Sequence, residues 1–418
     1  MSTKELIIEA AFSFYSKPYT KDFSLNELAQ KVGISKPAIY RHFKNKEGLI
    51  EGMQAHFFDI MAKYLAERRL SETKMAQEDI PFASMIQFFA DNTQYINYLL
   101  VQFSRQCDFE KVIYAALDNR HALDDDMRKK FQSMQDGKNR VKKTESFFSG
   151  VSMLYFIKAR EKVINKSMCE NSETEIKSIK STEEFSRNLV LFIKSGFEGS
   201  TEKDDILHPT IISDGRKKEL REICKINTCD FPEENRIFKA FATVIRKYDF
   251  GGVTIERIAN ELGMAKSSLY FYFENKNAMI ASLIEKELTM LTQICIENSS
   301  EARNFSEYIY LSLHSEVEFF KIRPSILPIC GWLLQTSVEG DEFFRPEICS
   351  AWETKLPQKI KNLNLGFPMC RDTLKYWIGM LPVMLFLMAT KHKIGEQELG
   401  ELLEKLFDFI QFGIEECK

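Results

Sequence analysis

SLNELAQKVGISKPAIYRHFKNKEGLI, residues 24–50, is the stretch whose reading decides the fold. Leu25, Leu28, Ala29 and Val32 fall at i, i+3, i+4 and i+7, the spacing of one helix face. Ser24 stands just before that face and Glu27 three residues on, the pair that forms a capping box. Gly33 follows the last apolar residue, where a chain leaving a helix wants a left-handed residue. Ser35 is placed to cap a second helix, with Pro37 tolerated in its first turn. That helix is predicted to turn Ile39, Tyr40 and Phe43 inward and Lys36, Ala38, Arg41 and Lys44 outward. Two short helices about a tight glycine turn, the second with a basic start, describe a helix-turn-helix.

The stretch occurs again at residues 254–280, TIERIANELGMAKSSLYFYFENKNAMI, in register without gaps at an offset of 230. Ile255, Ile258, Ala259 and Leu262 reproduce the first apolar face, and Gly263 repeats Gly33. Lys36, Tyr40, Phe43, Asn45, Lys46 and Ile50 recur as Lys266, Tyr270, Phe273, Asn275, Lys276 and Ile280. Upstream, Ile7 and Ala10 match Ile237 and Ala240. A second echo closes each half, FIKSGFE at 192–198 and FIQFGIE at 409–415. The chain is one unit written twice.

Each half resembles a TetR-type transcriptional regulator, whose fourth helix opens with a motif like LYxHFxxKexL. Residues 39–49, IYRHFKNKEGL, follow that wording closely. Residues 269–276, LYFYFENK, are a variant with Tyr272 where the family often has histidine. The specific likeness covers residues 5–55 and 235–285; the remainder of each half agrees in length, helicity and closing helix. The resemblance implies an all-α fold of two tandem TetR-like units. Each would be an N-terminal helix-turn-helix module followed by a helical ligand-binding and dimerisation domain. The expected boundaries are 1–50, 51–200, a linker at 201–232, 233–280 and 281–418. Helix one is expected over 4–17, with Leu6, Ile7, Ala10, Ala11 and Phe14 inward. Helix four is expected to begin after Asn45 and run through Met61 towards Arg69. Further helices are predicted over 82–106, 109–117, 121–136, 144–165 and 182–198, a short one over 215–225, and then over 303–322, 325–338, 341–361, 369–391 and 396–416.

With 418 residues, 44% hydrophobic and 28% charged, the composition suits a globular chain of two domain-sized units. The net charge of −3 makes it no polycation. Residues 1–50 nonetheless carry eight Lys/Arg against five Asp/Glu, whereas residues 231–280 carry seven against six. Phosphate neutralisation drives sequence-independent DNA affinity, so the first module is expected to anchor more strongly. The same charges also fit a plain solvated face. Nine cysteines without a CxxC pair, and an amphipathic start in place of a signal sequence, predict a cytoplasmic protein with free thiols. The apolar run 378–390 contains Pro382 and reads as a buried helix, with no membrane partner expected. Cys224 and Cys229 in the linker raise a redox switch as the sharper alternative to small buried hydrophobes.

By resemblance, the third helix enters the major groove of a double-stranded DNA operator. Ser24, Ser35, Lys36, Pro37, Ala38, Tyr40, His42 and Lys46 are the expected DNA-binding set of the first module. Lysine can donate to guanine, Ala or Pro can touch a thymine methyl, and Tyr40, His42 and Lys46 suit phosphates. The second set is Thr254, Lys266, Ser267, Ser268, Tyr270, Tyr272 and Lys276. Each has a plainer role as an exposed or packing residue. Ala265 in place of Ser35, and Arg257 in place of Glu27, predict a weaker helix start in the second module, about 1 kcal/mol for the lost cap.

The family's two-fold dimers imply either a monomeric pseudo-dimer or a homodimer of tandem chains. Aromatics crowd the helical regions: Phe88, Phe89, Tyr95, Tyr98, Phe103, Phe147 and Phe148, then Tyr308, Tyr310, Trp332, Trp352, Trp377 and Phe386. Core packing is their default role; an effector among them would be apolar or aromatic. No nucleophile–base set, phosphate loop or metal spacing is present, so neither an enzyme nor a cofactor is expected. The resemblance implies a ligand-responsive repressor. The rival reading is an architectural DNA-binding or protein-interaction factor without an effector.

Overall fold

A computed structural model describes residues 2–16, 23–68, 80–96, 98–99, 109–123, 125, 128–129, 140–169, 181–229, 231–248, 252–329, 359–360 and 369–414. The chain divides into two compact units, Met1–Lys143 with Met153–Val190, and Thr144–Ser152 with Leu191–Lys418. Among the described residues the fold is all-α, apart from one antiparallel pair that joins Lys359–Ile360 to Met369–Cys370. That pair corrects the helix expected over 341–361 at its end, and most of that segment lies outside the described residues; of the helix expected over 121–136, residues 121–123 are not helical, 125 and 128–129 are, and the rest lie outside the described residues.

In the first unit, α1 (Thr3–Phe12) runs into a 3-10 turn, Ser13–Ser16. Its buried face is Ile7, Ile8, Ala11 and Phe12, with Leu6 exposed, so the expected face is rotated by about one position. The rotation has a packing cause. Phe12 meets Tyr95 and Tyr98 edge-on at 4.8 and 5.1 Å, and Tyr15 meets Tyr98 at 5.3 Å. Helices α2 (Leu25–Val32), α3 (Lys36–Tyr40) and α4 (Lys46–Arg68) follow. The run expected as one helix over 82–106 breaks after α5 (Ile80–Asp91), where the Asn92 amide donates to the Phe88 carbonyl at 2.8 Å. Phe57, Phe88, Phe89, Tyr95 and Tyr98 are fully buried against one another and against Phe12. Aromatics offered as effector-lining residues here fill the core that supports α1; Phe103 lies outside the described residues. Helices α6 (Phe109–Asp118), α7 (Arg140–Cys169) and α8 (Thr182–Ser195) complete the first half.

The stretch between the halves is built into the second unit. Helix α9 (Asp214–Cys224) starts at Ser213, whose Oγ accepts from the Arg216 amide, and buries Leu220 and Cys224. Arg216 grips Glu307 of α14 (Phe305–Ile322) with two bonds of 3.0 Å, Nε to Oε1 and Nη2 to Oε2. Lys217 donates to Glu404 of α16 (Glu396–Phe412) at 2.8 Å, and Arg221 bridges Tyr310 and Glu404 at 2.7 and 3.1 Å. The Cys224 thiol is buried, receives a bond from Ser315, and is pushed up to about 12 by burial. A buried thiol held neutral in this way is a poor nucleophile.

Around Glu404, burial pushes the carboxyl up. The His314 ring 3.6 Å away, Lys217 and the Tyr310 hydroxyl outweigh it and hold Glu404 down at about 2. A carboxyl depressed in the folded state contributes stability above its ordinary value of 4.5, and that contribution fades as pH falls from 4.5 towards 2. Acid unfolding of the second unit is therefore expected to steepen below pH 4.5, and Glu404→Gln to flatten that limb in circular-dichroism titrations.

The repeat continues through α10 (Arg236–Tyr248), α11 (Ile255–Leu262), α12 (Lys266–Tyr272) and α13 (Lys276–Ser299). Phe238, Phe241, Ile258, Leu269 and Met279 share one core with Phe319 and Phe320 of α14 and Val383 of α15 (Arg371–His392), so this helix-turn-helix sits on the body of its unit. Helix α15 continues through Pro382 and contains an 18-residue stretch, Thr373–Thr390, apolar and long enough to cross a membrane. That is longer than the run noted from sequence, yet Trp377, Leu381, Leu385 and Ala389 are buried at four-residue spacing in the unit's core. Trp332 and Trp352 lie outside the described residues.

The two closing motifs meet inside the second unit. The Ile414 amide donates to the Ile193 carbonyl at 3.1 Å, and the Phe197 amide to the Ile410 carbonyl at 3.4 Å. At an offset of 217, Ile193 corresponds to Ile410 and Phe197 to Ile414. The two bonds are thus the same bond made twice, in opposite directions. Gly196 lies with its Cα against the 411–412 peptide and Gly413 against the 194–195 peptide, again equivalent positions. Both glycines have positive φ, 58° and 72°. Phe148 beside Phe409 at 5.8 Å, and the Trp377 indole donating to Ser152 Oγ at 3.0 Å, extend this seam.

Candidate nucleic-acid interface

Helix α2 begins as its sequence requires. The Glu27 amide donates to Ser24 Oγ at 3.1 Å and the Ser24 amide to Glu27 Oε2 at 2.8 Å, and Gly33 leaves the helix at φ 75°. The same geometry appears in α11 with different chemistry. Thr254 Oγ1 accepts from the Arg257 amide at 3.2 Å, and Gly263 has φ 66°. Arg257, in the place of Glu27, lays its guanidinium 4.2 Å from the Tyr248 ring and donates to the Gly252 carbonyl. A carboxylate therefore closes the start of α2, while a cation stands at the start of α11. The electrostatic contrast at this one point favours an anion at the second module.

Ser35 and Ala265 both occupy the N-cap position of the third helix, and neither makes a side-chain cap bond. In the first module Pro37 has no amide to offer, and the Ala38 amide is taken by the Ser35 carbonyl at 2.9 Å. The expected loss of about 1 kcal/mol at Ala265 is accordingly absent, and the exposed Ser35 hydroxyl makes no cap. The caps that do set this region are Asn45 and Asn275, whose Oδ1 atoms accept from the Gly48 and Ala278 amides at 2.8 and 2.9 Å. Their signal was present in the sequence as an asparagine repeated at one register position before a helix.

Tyr40 and Tyr270 are each 47% exposed, which corrects the inward placement expected for Tyr40. Ile39 and Leu269 fill the inner side of α3 and α12 instead. Lys36, Pro37, Tyr40 and His42 are exposed and Ala38 half-buried; Lys266 and Ser267 are exposed and Ser268 half-buried. Lys266 Nζ stands 5.9 Å from the Tyr270 ring. Lys46 is half-buried with its Nζ 5.1 Å from the Phe23 ring, and Ser24 is committed to its capping box. The side chains of Tyr272 and Lys276 lie outside the described residues; their backbones end α12 and start α13.

Arg41 and Lys44, expected to face outward, are not in the expected DNA-binding set, nor are Phe271 and Glu274, which occupy the same two register positions in the second module. All four are exposed, Phe271 by 85%. The first module therefore presents Lys36, Arg41, His42 and Lys44 about its third helix. The second presents Lys266, Tyr270 and Phe271, and carries the acidic Glu274 at the position of Lys44.

Away from these modules, a groove of about 440 Å³ in the second unit is lined by Glu198, Pro209, Ile211, Asp408 and Phe412. Burial raises the Asp408 carboxyl above its ordinary range. None of the aromatics proposed for an effector lines this groove.

A family model described as bacterial regulatory proteins, tetR family, matches residues 7–53 and again residues 237–283. The two matches coincide with the two helix-turn-helix modules and share the 230-residue offset of the repeat.

Proposed function

We infer, from a chain that belongs to the tetR family of bacterial regulatory proteins and carries two of its units in tandem, a transcriptional regulator that is its own dimer. The family is one of DNA-binding regulators. The proposed chain folds as an intramolecular pseudo-dimer, reads one asymmetric operator with two unlike modules, and represses until an effector is bound in a helical domain. The observation that carries this reading is the reciprocal pair of bonds between Ile193 and Ile414 and between Ile410 and Phe197. A two-fold interface is self-complementary: a residue i meets j while the partner's j meets its i. Here both copies of i and j belong to one chain, which supports the pseudo-dimer reading.

The proposed DNA-binding set is the one on the exposed side of α3 and α12: Ser35, Lys36, Pro37, Ala38, Tyr40 and His42, then Lys266, Ser267, Ser268 and Tyr270. Lys46 and Lys276, with Ser24 and Thr254 at their helix starts, flank it towards the phosphates, and Tyr272 ends it. The test is binding of the full chain to a duplex selected from a random pool. Lys36→Ala is expected to weaken binding by about tenfold or more. Lys266→Ala, in a module that carries Glu274 where the first carries Lys44, should cost less. Equal losses would remove the inequality of the modules. Affinity independent of sequence, with a steep salt slope, would favour the architectural role instead.

A further inference from the structure

The groove of about 440 Å³ in the second unit has a lining of mixed chemistry, drawn from three places in the chain. Glu198 opens the 3-10 turn Glu198–Ser200 that follows the first closing motif. Pro209 and Ile211 belong to the stretch before α9, and Asp408 and Phe412 lie one turn apart on α16. Its volume falls within the roughly 300–1,000 Å³ that small-molecule sites occupy.

Both of its carboxylates lack a bonded cation. Among the described residues, neither Glu198 nor Asp408 makes a hydrogen bond or an ion pair. The charges of Lys217 and Lys405 reach Asp408 without bonding it, and Lys217 is committed to Glu404 at 2.8 Å. The apolar part of the lining is equally unspent. Ile211 is 90% exposed, the highest value among the large hydrophobics described, and so forgoes the stabilisation that burial would bring.

This pairing selects among ligands. An anion would meet two carboxylates. A hard divalent cation wants about six or more oxygens around it, whereas three of the five lining residues are apolar. An uncharged apolar molecule would strip water from the carboxylates and return no bond to them. A molecule with a cationic head and a hydrocarbon body answers both halves of the lining.

We propose that this groove binds a small organic cation, its ammonium or amidinium head at Asp408 and Glu198 and its hydrocarbon body against Pro209, Ile211 and Phe412. The site lies apart from the helix-turn-helix modules and needs no DNA, so it goes beyond the regulator proposed above. An occupant touches the turn after the first closing motif, the stretch before α9, and α16, and thereby ties three segments of the second unit together.

The test is isothermal titration of the full chain without DNA at neutral pH, with phenethylammonium as the probe. Phenethyl alcohol is its uncharged counterpart and hydrocinnamate its anionic one. The ammonium is expected to bind with a Kd of about 1 mM or tighter, at least about tenfold more tightly than the alcohol, and hydrocinnamate not at all. Asp408→Asn keeps the shape of the side chain and should weaken the ammonium by about tenfold. Its urea midpoint without the probe should match that of the unaltered chain. Glu198 is exposed, so Glu198→Gln reports on the site independently of folding and should also weaken binding. Because the probe binds only the folded chain, it should raise the urea midpoint as its concentration increases, and less so in either variant. Equal binding of the ammonium and the alcohol overturns the proposal. So does ammonium binding that survives both variants unchanged, or no ammonium binding at ten times the expected Kd.

Discussion

Gly413→Ala is expected to destabilise the second unit by about 3 kcal/mol, at the upper end of what a strained backbone position costs. Gly413 ends α16 at φ 72° and ψ −156°, a region essentially reserved for glycine. A Cβ there would also fall inside van der Waals contact with the Lys194 carbonyl. Both costs act on the peptide that carries the seam, because the next residue, Ile414, donates to Ile193. Gly196→Ala should act in the same direction through the Gln411 carbonyl. Gly215 in α9 has open space where its Cβ would stand, so Gly215→Ala is the control, expected to stabilise by up to about 1 kcal/mol. Urea midpoints at constant slope would read all three. A Gly413→Ala midpoint matching that of the unaltered chain would mean the two closing motifs do not touch.

Arg216→Ala is expected to cost about 3 kcal/mol, the usual result of removing one partner from a buried ion pair. Its two parallel bonds to Glu307 are the strongest form of an arginine–carboxylate contact. Glu307 is buried, and burial alone would raise its carboxyl; bonds from Arg216 and the Arg303 amide hold it below the ordinary range instead. Without the guanidinium a buried charge remains with a single amide to satisfy it. Arg216→Lys cannot reproduce the fork and should fall between. Adding Glu307→Gln to Arg216→Ala should recover part of the loss in denaturation curves. No recovery would place the role of Arg216 elsewhere than in this pair.

What could be read in advance follows from how local the physics was. The capping box at Ser24–Glu27 and the left-handed glycines need only neighbours in sequence, and they stand where the pattern put them. The pattern fails where a distant side chain decides. Leu6 and Phe12 exchange places because Tyr95 and Tyr98 arrive on α1 from more than eighty residues away. Tyr40 fits an apolar stripe on paper but lies outward, because Ile39 and Phe43 already fill the inner side. Ser35 looked like a cap, but Pro37 has no amide to give it. The segment after residue 200 looked like a connector because it is polar; its charges are spent on Glu307 and Glu404, carboxylates about ninety and one hundred and ninety residues away. The echo of FIKSGFE in FIQFGIE was visible as repetition, but only the fold supplies the reason for a glycine in each: the peptide of the other motif lies against it.

The central claim is that one chain is a complete dimer, and the mass of the purified protein in solution tests it most directly. Light scattering should give a particle near 48.7 kDa, unchanged with dilution, that binds a selected duplex one to one. A particle of twice that mass, free or on DNA, would contradict the account, because it would mean that a second chain is needed although residues 192–197 and 409–414 already meet within one chain.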